Sequence, residues 1–366
     1  MADDVRLTVD GMIYGGWKSL TFRRSLEECC AAFSLEVTEK WPGTDARRPI
    51  KRGAAYSMSL GGDEVAAGYV DGTPRSYGTD MHSVSVKARC GLADIVDCAA
   101  IVDGPHEFSN IGLAEIAARL CKPYGVSVQT QCDLGAPFPR FAIQPGETVW
   151  SALDRAMRMR AVLAHSDARH TLVFTRAGLG GTAAGSLQLG QNVKSATGEF
   201  SFEQRFSDII VRGQQESADD LDTTSEMQAE GRAHDAAVTR FRPTVIVGET
   251  VAADQTLTER AEWHKVVAYG RSATATYTVQ GWRDAGGALW RPNTTVSVRD
   301  DYLEINEPLL IVSTELQLSP EGGTTATLTV SHPSAYALIT EADSDTSASS
   351  AGSAPAATKY DESAWR

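Results

Sequence analysis

Two stretches decide how this chain is read: VQGWRDAGGALWRPNTTVSV (279–298) and EGGTTATLTVSHPSAY (321–336). Both alternate apolar and polar side chains, the period of a strand with one face buried. Gly286-Gly287 supplies a turn between the corners at Gly281-Trp282 and Leu289-Trp290. Upstream, TRFRPTVIVGE (239–249) reads as another strand, and ERAEW (259–263) opens a helix behind the capping box Thr256-Leu257-Thr258-Glu259. No cluster of catalytic side chains lies anywhere in this last third. The pattern is that of a β-barrel that builds something, not of a pocket that turns over a substrate.

Working outward, residues 1–101 read as short strands. Arg6–Val9, Ser34–Thr38, Tyr56–Leu60, Ala66–Val70 and Val84–Ala88 alternate, and Asp10-Gly11, Trp41-Pro42-Gly43 and Gly61-Gly62-Asp63 break them. That spacing predicts a first small antiparallel barrel, whose closure removes most exposed edges. Over 102–187 the period changes. Leu113, Ile116, Ala117 and Leu120 share one helical face, as do Val149, Leu153, Ala156 and Met157, and Thr171–Phe174 is a strand. This segment is an α+β domain. Residues 188–340 form a second barrel, interrupted at about 216–275 by an acidic loop, a strand and a helix. The loop at 216–230 and the Ser/Ala-rich tail at 341–366 hold too few large apolar residues to fold alone and are expected to be flexible. The fold class is therefore α+β, mainly β, with two antiparallel barrels.

The formal charge of the 366-residue chain is −13. A groove gripping nucleic acid needs an excess of Lys and Arg, so this balance argues against one. It is compatible with a surface past which DNA slides, because an acidic wall repels phosphate. No apolar run approaches the roughly 18–20 residues of a membrane span. The start, MADDVRLTVDG, has neither a basic n-region nor an apolar h-region, so folding in the cytosol of the producing cell is expected. Cys29, Cys30, Cys90, Cys98, Cys121 and Cys132 show no CxxC spacing and read as free thiols rather than zinc ligands. No cofactor and no metal are expected.

Candidate chemistry is thin. His165 and His170 stand five apart, the wrong interval for two ligands on one helix. No G-x-S-x-G elbow occurs, and Gly178-Leu179-Gly180-Gly181 lacks the Lys-Ser/Thr of a phosphate loop, which leaves it a linker. Glu147 and Asp154 could be paired as glycosidase acids, but both lie near a helix start, where acids favour the dipole anyway. Arg155, Arg158 and Arg160, with Arg140 and Arg169 nearby, make a basic spot on an acidic protein: either a solvated helix face or a contact with an acidic subunit. Arg155, Arg158 and Arg160, with Trp263, Trp282 and Trp290, are the candidate subunit- or partner-interface residues. The segment Phe141–Leu153 is similar to the opening of a LysM glycan-binding module, but that module's second half is missing downstream.

Taken in order, a set of motifs resembles the Mu P protein family, the baseplate hub proteins of Mu-like contractile bacteriophages. It comprises Gly146–Leu153, Phe206–Gln214, Thr239–Pro243, Arg260–Trp263, Val279–Arg283, Leu289–Asn293 and Gly322–Thr324. The resemblance covers about Val5 to Leu338. It implies a non-enzymatic homotrimer in the virion's tail baseplate, assembled in the bacterial host cytoplasm. Each chain would hold two tube-type barrels, so that three chains give a ring of six. The implied partners are the tail tube protein above, the central spike protein below and baseplate wedge proteins, with DNA passing transiently through an axial channel. Two rival functions follow from the same residues. One is a component that binds or degrades peptidoglycan, resting on the LysM-like segment and the Glu147/Asp154 pair. The other is the spike head of a type VI-like secretion system, a related architecture.

Overall fold

The computed structural model describes residues 4–37, 50–77, 82–213, 230–248 and 256–339. The loop expected at 216–230 (up to residue 229) and the tail expected at 341–366 lie outside them.

The N-terminal strands are β1 (Val5–Val9), β2 (Met12–Tyr14), β3 (Ser19–Ser25), β4 (Ala32–Val37), β5 (Ala55–Leu60), β6 (Asp63–Gly72), β7 (Arg75–Tyr77) and β8 (His82–Cys90). Alternation does what it promises: Val5, Leu7 and Val9, Leu20 and Phe22, Phe33 and Leu35, and Tyr56, Met58 and Leu60 all point into the core. Phe33 meets Tyr56 edge-on at 5.0 Å, a favoured aromatic geometry.

The α+β region follows. It comprises α1 (Ala93–Asp97), β9 (Glu107–Ile111), α2 (Leu113–Cys121), β10 (Ser127–Thr130), β11 (Phe138–Ala142), α3 (Val149–Arg158), β12 (Leu163–Ser166) and β13 (Thr171–Thr175). Every apolar residue of the two predicted helical stripes is buried. Thr148 caps α3 by accepting from the Ser151 N–H at 3.1 Å.

The remaining elements are β14 (Thr182–Gln188), β15 (Val193–Phe200), β16 (Asp208–Gly213), β17 (Glu230–His234), β18 (Pro243–Gly248), α4 (Leu257–Arg271), β19 (Ala273–Gln280), β20 (Thr295–Arg299), β21 (Pro308–Ser319) and β22 (Gly323–Ser331). Among these, β14-β20-β21-β22-β19-β15 is a path of paired strands; the N-terminal counterpart is β1-β5-β6-β8-β4-β3. Numbered by sequence rank within each set of six, both paths read 1-4-5-6-3-2. One strand order therefore occurs twice in the chain. The copies differ at one end, where β1–β5 is antiparallel and β14–β20 parallel.

Neither path closes into a barrel among the described residues. The first cannot close at β3, because the outer edge of β3 is taken by β21, from Leu20 opposite Leu318 to Ser25 opposite Ser313. The two units thereby share one fourteen-stranded sheet, and one hydrophobic core runs through both and through the α+β region. In the second unit β14 and β15 are joined by the turn at 189–192, where Asn192 Oδ1 accepts from the Gln188 N–H at 2.9 Å, without a ladder between them.

The chain leaves the second unit after Phe200 and re-enters at Ala273, its direct neighbour across the ladder. Between them β17-β16-β18 form a small sheet with α4 packed across it. This insertion has a separate small cluster of Ile209, Val211, Ala233 and Ala261.

Candidate functional site

The described residues do not assemble a reaction centre. A cleft of about 840 Å³ between β9 and α2 is lined by Glu107, Glu115 and Arg119 among others. Three of its charged residues are held in salt bridges: Arg119 to Glu115 at 2.6 Å, and Glu107 to Arg140 at 2.7 Å. Glu147 and Asp154, the candidate acid pair, each hold their own arginine. Glu147 is bound by Arg155 at 3.1 Å and accepts from the Gln144 N–H at 2.9 Å; Asp154 accepts from Arg158 Nε at 3.0 Å. No group of three His, Cys, Asp or Glu side chains converges as metal ligands would among the described residues. Burial lowers the pKa of both His165 and His264, so each is neutral near pH 7. All six cysteines are free, and burial pushes Cys121 up to about 12.

The built feature of the molecule is the junction between the two six-stranded units. Its centre is the β3–β21 ladder, extended by Leu26 N–H to Val312 O at 2.9 Å. On one flank Arg283, from the corner after Trp282, reaches Asp63 Oδ2 at 2.7 Å and also donates to Leu60 O and Gly61 O on the β5–β6 turn. On another, the Tyr336 hydroxyl donates to Glu27 Oε1 at 2.7 Å. Arg24 of β3 donates to Val65 O, and burial lowers its pKa to about 10, still charged at neutral pH. A third clasp ties the α+β region to the second unit. Asn293, held at φ +67°, accepts from the Gly178 N–H at 2.7 Å and donates to Thr175 Oγ1 at 3.0 Å and Arg176 O at 3.1 Å. Gly180 lets the backbones meet there: a Cβ would stand 2.5 Å from Asn293 O.

Most of the interface residues expected from sequence are engaged inside the protomer. Arg155 donates to Ala142 O at 2.7 Å and stacks over Phe141 at 4.6 Å; Arg160 donates to Ala136 O at 2.9 Å and stacks over Phe138 at 3.8 Å. Arg158 is the most exposed of the three and pairs with Asp154. Trp282 is wholly buried, its indole N–H on Gln317 O at 2.8 Å, and Trp290 is buried as well. These two rings fill the second unit's core and present no surface. Trp263 is half-buried and docks α4 by donating to Ala337 O at 2.8 Å. Asn293, Arg283 and Tyr336 lie within stretches that the sequence marks, but nothing there marks them as clasps. Tyr336 and Glu27 are 309 positions apart, and no local pattern links them.

Two matched six-stranded units, fused edge to edge and braced by an α+β region, are an architecture of phage tail proteins. The 43 kDa tail protein of prophage MuSo2 from Shewanella oneidensis is similar over 92% of this chain and 100% of its own, at TM-score 0.79 and 36% identity. A tail protein from Neisseria meningitidis, at TM-score 0.75 and 20% identity over 93% of this chain and 100% of that one, shares the fold. So does an E. coli component of the type VI secretion system, at TM-score 0.54 and 11% identity over 88% and 76%.

Sequence narrows this to one family. Residues 4–90 match the model of Mu phage baseplate assembly protein GpP-like, N-terminal; residues 92–176 match baseplate hub protein gp44-like, second domain; residues 253–339 match Mu phage baseplate assembly protein GpP, fourth domain. Over 320 residues the chain is 35% identical to baseplate hub protein gp44 of Escherichia phage Mu, covering 86% of this chain and 83% of that protein. The chain belongs to the Mu-type baseplate hub protein family.

Proposed function

We propose that this protein is the central hub of a contractile tail baseplate, a homotrimer that adapts the six-fold tail tube to a three-fold spike. The observation that carries this reading is the strand order 1-4-5-6-3-2, present twice per chain. Three chains supply six such units, and a ring of six tube-type units matches a six-fold tube, while the assembly as a whole keeps three-fold symmetry for the spike. Residues 1–101 and 188–340, apart from the insertion, form the ring, and residues 102–187 brace it. The tail tube protein, the central spike protein and the wedge proteins are its partners. The role is structural: rigid units and large interfaces serve it, and no reaction is required. Part of the −13 charge lines the axial channel, where repulsion keeps DNA from sticking as it passes.

The test is the mass of the purified full-length protein by light scattering, with negative-stain images. The expected result is three times the 39.2 kDa chain and a six-lobed ring with an open centre. A monomer at assembly concentrations, or a solid particle, rejects the reading.

A further inference from the structure

The junction inside the protomer offers a pattern for a contact between copies of the chain. Inside the chain, the rank-two strand of the first unit, β3, adds to the rank-five strand of the second, β21. The second half of β21 thus has β22 on one side and β3 on the other. The equivalent strands with exchanged roles are β15, rank two of the second unit, and β6, rank five of the first. In the first unit the segment matching the second half of β21 is β7, which carries β6 onward along β8.

Both equivalents have an open side. Among the described residues β15 pairs only with β19, and β7 only with β8. Most side chains of β15, and all three of β7, are exposed. The Ser201 N–H donates to Ser272 O at 2.8 Å, which fixes the alternation along β15: the backbone groups of Ala196, Gly198 and Phe200 turn away from β19. The Ser85 N–H donates to Pro74 O at 3.0 Å, so Pro74 and Ser76 face β8 and Arg75 faces outward. The Phe200 ring lies over Gly198 and covers the stretch where a side chain is missing. An eight-residue edge with no second partner among the described residues is a template for another strand, and six strands stand between β15 and β6 in the path of one chain.

We infer that β15 of one protomer adds antiparallel to β6–β7 of a second copy of this chain, repeating between subunits the β3–β21 junction within each. The outward backbone of Gly198 then lies opposite that of Arg75, and Thr197 opposite Ser76. This is a head-to-tail contact, the kind that closes into a ring. It rests on the trimer reading above and adds the strands that make the seam.

A cysteine pair tests it. The double variant Ser76→Cys, Thr197→Cys, mildly oxidised, is expected to give covalent dimers and trimers on a non-reducing gel. Each single variant and the parent, with its six native cysteines, should stay at chain mass. A second variant, Ala196→Pro, removes an outward N–H without touching the β19 ladder; its trimer should dissociate at a protein concentration at least ~10-fold higher than the parent's. A light-scattering trimer with no cross-link in the double variant, and an undisturbed trimer in Ala196→Pro, overturns this seam and leaves the trimer standing. A monomeric parent overturns both.

Discussion

The two six-stranded units connect the same two ranks of strand in very different ways. The first passes from β3 to β4 through residues 26–31; the second passes from β15 to β19 through residues 201–272. The strand order survives because the ends of the insertion stay in register: Phe200 opposes Ala273, and Ser201 bonds back to Ser272 beyond the last pair. Closing a longer loop costs little once its ends are held, since the entropy grows only with the logarithm of length. What the insertion lacks is a core of its own size. Among the described residues its own cluster, Ile209, Val211, Ala233 and Ala261, is too small to support an independent fold. It leans on its host through Trp263 and through Gly270, whose missing Cβ lets Ala335 approach. The difference teaches that this chain has two levels of stability, a global one in the shared sheet and a local one in the insertion.

The largest expected effect tests the global level. Trp282→Ala removes a wholly buried indole and its hydrogen bond to Gln317 O. Truncations of this kind cost about 3–5 kcal/mol. Because Trp282 sits in the core common to both units, urea unfolding followed by circular dichroism should shift as one transition. If the second unit melts early while the first stays intact, the two units are not one cooperative body.

Arg205→Met probes the local level. Arg205 and Asp235 form a buried bidentate pair, with bonds of 2.7 and 3.0 Å, and the guanidinium stacks on Phe202 at 4.6 Å. Removing one member of such a pair costs about 3–5 kcal/mol, since the other charge is left buried alone. The loss should appear as faster hydrogen exchange in β16 and β17, with β1–β8 unchanged. The double variant Arg205→Met, Asp235→Leu should recover most of it. Equal loosening in both units would erase the proposed difference between them.

The same contrast separates what the sequence reveals from what it hides. Strands and helices are legible wherever one face is buried. Leu113, Ile116, Ala117 and Leu120 announce α2, and Tyr277, Val279, Ala326, Leu328 and Val330 announce the sheet, because burial imposes a period on the side chains themselves. The β3–β21 pairing is not legible. Its ladder joins residues nearly three hundred positions apart, and an edge strand looks alike in sequence whether its partner is near, distant or another chain. The repeated strand order is hidden for the same reason. Trp282 and Trp290 were placed at an interface because aromatic residues favour interfaces and cores alike; only the packed sheet shows that these two are core. The arginines' contacts inside the protomer are hidden too. Arg155 and Arg160 spend much of their hydrogen bonding on carbonyl oxygens, acceptors that every residue has and no motif marks.

The smallest effect sharpens the comparison most, because the element it touches was read correctly from sequence. Thr256 accepts from the Glu259 N–H at 3.1 Å, and Glu259 returns a bond to the Thr256 N–H at 2.9 Å. Those two bonds satisfy donors that the first turn of α4 leaves unpaired, and the hydrogen bonds that Thr256 makes to the Glu259 carboxylate, its backbone N–H first, lower that carboxyl's pKa. Thr256→Ala should cost about 1 kcal/mol. If the insertion is a local unit, that cost is paid by α4 and the small sheet beneath it. Hydrogen exchange should then rise in α4 and β16–β18, and the urea midpoint of the shared sheet should stay where it was. A midpoint that falls with the cap would mean that α4 is folded as part of the main core, and that seventy-odd inserted residues had become integral to the unit they interrupt.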